Sequence, residues 1–134
     1  MAGISLEKAQ ELVAAATAKA DEIGVPMNVA VVDAGNNLTA FARQDGAWLG
    51  SIDIAQNKAY TARAFDMPTK DLAGEAQPGE SLYGIEASNH GQLIVFAGGI
   101  PITEGDEVVG AIGVSGGTVD QDQEVAEAGV SAYA

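Results

Sequence analysis

The sequence predicts an α+β domain in which a five-stranded antiparallel sheet is covered by helices. The predicted secondary-structure elements follow one another in the order helix, two strands, helix, irregular loop, three strands, helix. Tight turns join most of the strands, which makes neighbouring strands antiparallel. With 134 residues, 47% of them hydrophobic, and no cysteine, the chain can bury one core without disulfides. We therefore expect a single domain spanning residues 1–134.

The first helix is predicted over residues 5–23, where apolar side chains recur at steps of three and four. Ser5 is suited to cap its start, and Gly24 and Pro26 are suited to end it. Most of the apolar positions are alanines, so we expect this helix to lie close against a sheet.

A hairpin and a second helix follow. Residues 27–32 and 38–43 read as two strands around a turn of Asp, Gly and Asn residues, which predicts a β-hairpin. Ser51 can then cap a helix that runs to about residue 65, where a Met-Pro-Thr sequence interrupts it. The segment 74–91 is rich in Gly, Pro, Ser and acidic residues. It is the longest irregular region, and such loops in compact domains are usually functional or mobile.

The last part of the chain is predicted to hold three strands, at residues 92–97, 100–103 and 108–115, and a closing helix. Thr118 and Gln121 have the spacing of a capping box, which marks the start of that helix. Glycines occur inside the strands, where the missing Cβ leaves room for another group to press against the backbone. The pattern predicts a floor for a helix, a second subunit or a ligand, and leaves these three alternatives open.

Charge is distributed unevenly along the chain. The formal net charge is −13, and all six basic residues lie within the first 70 positions, whereas the remaining 64 positions hold eleven acidic residues. Such a chain repels nucleic acid, because binding requires basic groups at the phosphates. No stretch approaches the roughly 20 apolar residues that cross a bilayer, and the N-terminus lacks the basic start and apolar run of a secretory signal. These features predict a cytoplasmic protein without nucleic-acid or membrane partners.

Five ordered blocks of sequence are similar to those of a known family. They read VAVVDAGN, RQDGA, KAYTA, GGIPI and GAIGVSGG, at residues 29–36, 43–47, 58–62, 98–102 and 110–117. Together they resemble the GlcG/HbpS family, also called haem-degrading or haem-binding, which includes the C-terminal domain of PduO-type corrinoid adenosyltransferases. The resemblance spans nearly the whole chain. It implies a profilin-like fold and assembly into homo-oligomers, as dimers or higher.

Some members of this family bind haem or a related tetrapyrrole, so the resemblance makes haem the candidate cofactor. Haem-binding members are expected to offer a histidine, often from the first helix, but this first helix has none. His90, in the irregular loop, is the chain's single imidazole. The other side chains of types that can ligate haem iron are Met1, Met27, Met67, Tyr60, Tyr83 and Tyr133.

An iron-linked Glu-x-x-Glu motif of a haem-sensing relative has a formal match in Glu124 and Glu127. Two carboxylates three residues apart share a helix face, and oxygen ligands suit hard cations. The same spacing is common on solvated acidic helices. We therefore predict no metal site.

Two basic residues of the family blocks are candidate ligand-binding residues. Arg43 ends the second strand and Lys58 lies in the middle of the second helix. Together they could hold a carboxylate or a propionate, because both cations form charge-assisted hydrogen bonds with such groups. The alternative is ion pairing with Asp45 or Asp53, which would fix the helix on the sheet.

Three further residues complete the predicted site. His90 can act as acid, base or ligand near neutral pH, and is the candidate catalytic residue; the alternative is an exposed side chain in a polar loop. Gly98 and Gly99 join two strands and could let a ligand touch the backbone; the alternative is packing or turn geometry.

These observations predict a small-molecule binding protein. Its ligand would be a haem-like tetrapyrrole or a small carboxylated compound, held between the sheet and the 74–91 loop. One alternative is an enzyme acting on a small organic acid, with His90 moving a proton. Another is an oligomeric accessory subunit whose alanine and glycine surfaces serve assembly.

Overall fold

The sheet has four strands. A computed structural model describes residues 3–133, and within them the strands are β1 (Asn28–Asp33), β2 (Leu38–Arg43), β3 (Gly99–Glu104) and β4 (Glu107–Ser115). Their order across the sheet is β2-β1-β4-β3, and every neighbouring pair is antiparallel. The predicted α+β class and the antiparallel sheet are confirmed.

Helices cover both faces of this sheet. Helices α1 (Leu6–Ile23) and α4 (Val119–Ser131) pack on one face, whereas α2 (Gly50–Phe65) packs on the other. A one-turn helix, α3 (Lys70–Ala73), follows α2. None of the helices within residues 3–133 has the length and apolarity that would let it cross a membrane.

The two faces differ in the size of their side chains. On the face toward α1 and α4, Val29 and Val31 of β1 join Leu12 and other apolar residues in the larger core cluster. On the face toward α2, Ala30 and Ala111 pack with the alanines of that helix. Because successive strand residues point to opposite faces, neighbouring positions in β1 and β4 belong to different layers.

The prediction of five strands is wrong at residues 92–97. This segment is irregular, although Leu93 is buried. The amide N–H of Ile94 donates to Oγ1 of Thr61 on α2 at 3.0 Å, rather than to a strand. The apolar run therefore packs against the helix, and its backbone is bonded by a side chain instead of by a fifth strand.

The predicted helix ends are found close to their expected positions. Oγ of Ser5 accepts from the N–H of Lys8 at 3.1 Å, and Gly24 ends α1 with a left-handed φ of 76°. Thr118 and Gln121 form the complete capping box of α4. Helix α2 differs, because its N-cap is Leu49 and no side chain caps it.

The 74–91 loop has little regular structure, as predicted. Two short 3-10 helices, Ile85–Ala87 and Asn89–Gly91, lie near its end. Oη of Tyr60 on α2 donates to Oδ1 of Asn89 at 2.9 Å. This bond fixes the end of the loop to the outer helix.

Candidate functional site

The glycine floor predicted from the sequence is covered by helix α2. A Cβ at Gly113 would collide with the carbonyl oxygen of Ala55 and the backbone nitrogen of Ala59. A Cβ at Gly99 would lie 2.5 Å from the carbonyl oxygen of Lys58, and one at Gly98, whose φ is 125°, would lie 2.6 Å from that lysine's Nζ. Of the three alternatives, a helix is therefore the group that touches these glycines.

Lys58 lies in a buried ion pair at the end of the sheet. Its side chain is fully buried, and Nζ donates to Oδ2 of Asp122 at 2.9 Å and to the carbonyl of Val114 at 2.8 Å. The ring of Phe96 lies 4.9 Å from the same nitrogen. Oδ1 of Asp122 accepts from the N–H of Gly117 at 2.9 Å. The pair joins α2 to α4 across the end of β4.

Burial changes the protonation equilibria of both partners. It lowers the pKa of Lys58 and raises the pKa of Asp122, because each charged form loses its hydration. The attraction between the two groups acts against both shifts. A lysine that is buried and already paired in this way links α2 to α4 at the end of β4.

Arg43 is exposed and bonds to the backbone rather than to a carboxylate. Its Nε and Nη2 donate to the carbonyl of Ala47 at 3.1 and 2.8 Å. Asp53, a partner considered from the sequence, instead accepts from Nδ2 of Asn57 at 3.0 Å. The guanidinium therefore fixes the loop before α2 and keeps an exposed side.

His90 is also exposed, with a left-handed φ of 56°. Its neighbour Asn89 is bonded to Tyr60, whereas Arg43 is bonded to Ala47, before the start of α2. Tyr60 lies ten residues beyond the first residue of α2, which is a helical rise of about 15 Å. Arg43 is thus bonded before the start of α2, the loop that holds His90 is bonded at Tyr60, and Lys58 is bonded to Asp122 and Val114.

The other candidate iron ligands are dispersed. Met27 is fully buried in the core, and Met67 is half-buried just after α2. Tyr60 and Tyr133 donate their hydroxyls to Asn89 and Glu104, and Tyr83 is 66% exposed. Met1 lies outside the described residues.

The two glutamates of the Glu-x-x-Glu match have separate partners. Glu124 pairs with Lys19 at 3.4 Å, and Glu127 accepts from Nε2 of Gln123 at 3.2 Å. Residues 3–133 contain no group of three His, Cys, Asp or Glu side chains placed to hold a metal ion.

An open, uncharged groove lies between α1 and the edge strand β2. We call it the α1–β2 groove; its volume is about 510 Å³, and its lining residues are Gln10, Val13, Ala14, Thr39, Ala40 and Phe41. None of these side chains is charged. A second cleft of about 490 Å³ lies farther along α1 and includes Asp21, Arg43 and Asp45. No local sequence pattern indicates the groove, because its walls come from elements whose relative placement such patterns do not give.

A family model described as "Haem degrading protein HbpS-like" matches residues 4–131. This chain belongs to the HbpS-like family. The resemblance seen in the sequence is thereby confirmed, and the fold described above is that of an HbpS-like protein.

Relatives of this HbpS-like chain include a protein without an assigned function and part of an enzyme. An uncharacterized 15.0 kDa protein from the dhaT-dhaS intergenic region of Citrobacter freundii is 42% identical over 133 residues, covering 99% of this chain and 94% of that protein. The corrinoid adenosyltransferase PduO of the same organism is 36% identical over 129 residues, covering 96% of this chain but 38% of PduO. The chain thus spans well under half of that enzyme.

A solved structure with a bound tetrapyrrole is also similar. The PduOC:haem complex superposes with a TM-score of 0.93 at 35% identity, covering 97% of this chain and 94% of the other. Haem binding is thus a property of one HbpS-like relative of closely similar fold.

Proposed function

We propose that this chain binds a haem-class tetrapyrrole in the α1–β2 groove. One observation carries the proposal: the open groove has a volume of about 510 Å³ and no charged side chain in its lining, in a chain with a net charge of −13. Small-molecule sites typically enclose 300 to 1,000 Å³ and are mostly apolar. The haem complex of a relative with the same fold supports this ligand class.

The groove suits the macrocycle better than it suits the iron. Haem iron is usually held by His, Cys, Met or Tyr, and none of these lines the groove. The single imidazole, His90, lies in the loop that is fixed to Tyr60 of α2, on the opposite side of the sheet from α1. The ligand would therefore be held by apolar contact with its ring system, with no side chain of the groove bonded to the metal.

The same geometry favours the groove over the 74–91 loop as the binding site. The loop site needs Lys58 as a ligand contact, but that ammonium is buried and paired with Asp122. It also needs Arg43 and His90 near one another, whereas Arg43 is bonded to Ala47 before α2 and the loop that holds His90 is bonded to Tyr60 within α2. No observation in the structure favours the enzyme alternative. Homo-oligomer assembly and a cytoplasmic location stay predictions.

Titrations with haemin and with metal-free protoporphyrin IX test the proposal. Because the groove offers no iron ligand, the two porphyrins should bind with affinities within a factor of about three, and His90→Ala should leave both affinities unchanged. Ala14→Glu places a charge in the groove and should weaken both at least tenfold, since burying an unpaired carboxylate is costly. The matched control is Ala64→Glu, at an exposed position of α2 on the other side of the sheet.

Three results would contradict the proposal. Haemin binding that is lost in His90→Ala would place the ligand at the loop. Binding of haemin without binding of protoporphyrin IX would show that the metal is essential. Equal losses in Ala14→Glu and Ala64→Glu would show that the groove is not the site.

A further inference from the structure

A row of polar side chains crosses the sheet beneath the start of α2. In the strand register, Asn28 of β1 lies opposite Arg43 of β2 on one side and opposite Ser115 of β4 on the other. Cross-strand partners share a face, and Asn28 shares its face with Ala30, which packs under α2. We call Arg43, Asn28 and Ser115 the polar row.

Asn28 holds an acceptor without a partner. Its side chain is fully buried, and Nδ2 donates to the carbonyl of Trp48 at 3.1 Å. A carbonyl only accepts, so this bond fixes which way the amide points. Oδ1 then has no hydrogen-bond partner within residues 3–133. Buried polar atoms are nearly always bonded, so an unpartnered one requires an explanation.

Two further hydroxyl groups belong to the elements beside Asn28: Ser115 of β4 and Ser51 of α2. Ser115 and Ser51 are each about 4% exposed, and the N–H of Ser51 donates to the same Trp48 carbonyl that Asn28 contacts. Ser51 lies in the first turn of α2, a helix of 16 residues that begins without a side-chain cap. The positive end of the helix dipole favours an anion there.

Arg43 adds a full positive charge at the exposed end of the row. It forms no ion pair within the described part of the chain, and only the Ala47 carbonyl accepts from it. A Cβ at Gly46 or at Gly50 would meet no atom within 4 Å, so the chain borders open space at these two positions.

We propose that the polar row and the start of α2 form a second binding site, for a small carboxylate that also carries a hydroxyl group. The carboxylate would accept from Arg43 and from the serine hydroxyls. The ligand's hydroxyl would donate to Oδ1 of Asn28, which a plain carboxylate leaves unpaired. This site is independent of the tetrapyrrole groove, which lies on the α1 side of the sheet.

The single tryptophan of the chain provides the measurement. Trp48 is 67% exposed and its carbonyl contacts Asn28, so a ligand in the polar row should alter its fluorescence. The probes are lactate and propionate, which differ by one hydroxyl group. We expect a saturable change with lactate and binding at least tenfold weaker with propionate, because a buried acceptor left unpaired opposes binding.

Two variants connect the effect to the named groups. Arg43→Gln should weaken lactate binding at least tenfold, whereas the control Arg63→Gln, which removes a guanidinium bonded to the Ala34 carbonyl near the other end of α2, should leave it unchanged. Asn28→Leu should remove the preference for lactate over propionate. Circular dichroism checks that each variant is folded. If Asn28→Leu does not fold, Arg43→Gln still tests the proposal, because its substitution is at an exposed position.

The proposal is overturned by any of three results. Lactate that produces no saturable change excludes the site. Propionate that binds as tightly as lactate excludes the role of Asn28. An unchanged lactate affinity in Arg43→Gln, or an equal loss in Arg63→Gln, excludes the role of the polar row.

Discussion

The two faces of the sheet are built by different physical means. The face toward α1 and α4, the aliphatic face, buries branched side chains such as Val31 and Ile112 against Leu12. The face toward α2, the small-residue face, has alanine and glycine at its centre, and the helix backbone approaches the strands directly. One face is stabilised by apolar volume. The other depends on close approach and on a few buried polar groups.

This difference also separates the two proposed sites. The α1–β2 groove opens on the side of the aliphatic face and offers apolar surface. The polar row lies on the small-residue face, where Asn28 and the buried Lys58 are found. Buried polar groups are costly unless they are bonded. They are therefore the positions at which the small-residue face is most sensitive to substitution.

The largest effect is expected from breaking the buried ion pair. Lys58→Met leaves Asp122 buried without its cation and should lower the free energy of unfolding by about 3–5 kcal/mol. Asp122→Leu alone should cost a similar amount for the same reason. The double variant Lys58→Met, Asp122→Leu should be close to wild type or more stable, because neither charge is then buried. Urea unfolding of the four proteins measures the coupling.

If the single variants each cost less than about 1 kcal/mol, or if their effects simply add in the double variant, the pair does not stabilise this end of the sheet. Gln123→Met is the matched control within α4, since Oε1 of Gln123 accepts from the N–H of Gly98 without forming an ion pair. Its cost should be about 1 kcal/mol, as for a neutral hydrogen bond.

A single added carbon tests the close approach of α2. Gly113→Ala should destabilise the protein by about 3 kcal/mol, because the new methyl group would collide with backbone atoms of Ala55 and Ala59 that have no rotamer to change. Gly50→Ala, where a Cβ meets nothing within 4 Å, is the control and should be neutral or slightly stabilising. Thermal unfolding compares them. Equal melting temperatures for the two variants would contradict the packing of α2.

A single removed carbon on the neighbouring residue sharpens the comparison. Ile112 lies on the aliphatic face and is fully buried. Ile112→Val should cost about 1 kcal/mol, since the loss is one methyl group and a small cavity. The free energy of unfolding in urea checks the value. A cost for Ile112→Val that exceeds the cost for Gly113→Ala would reverse the assignment of the more sensitive face.

Many features of the fold could be predicted from local sequence patterns, because their physical causes lie within a few adjacent residues. The caps at Ser5 and Thr118 and the β1–β2 hairpin follow from a few adjacent residues. Residues 92–97 were wrongly predicted as a strand because an apolar run looks the same whether a strand or a helix buries it. The partner of Lys58 lies 64 residues away, and no spacing rule connects the two.

The smallest expected effect is a pH dependence of the small-residue face. Burial raises the folded-state pKa of Asp122 above its ordinary value, so the folded state holds that proton more tightly than the unfolded state. The stabilising contribution of Asp122 to the free energy of unfolding is then fully present below about pH 4, and it is lost as the pH rises through the folded-state pKa of Asp122. The stability advantage of the double variant over wild type should therefore grow from pH 4 to pH 6. Denaturant midpoints measured at both values check this, and an advantage that shrinks would contradict it.

A crystal structure of this protein with haemin tests the central claim most directly. The macrocycle is expected between α1 and β2, in contact with Ala14 and Ala40, with no bond from His90 to the iron. A macrocycle resting on the 74–91 loop, with the imidazole of His90 bonded to iron, would contradict it.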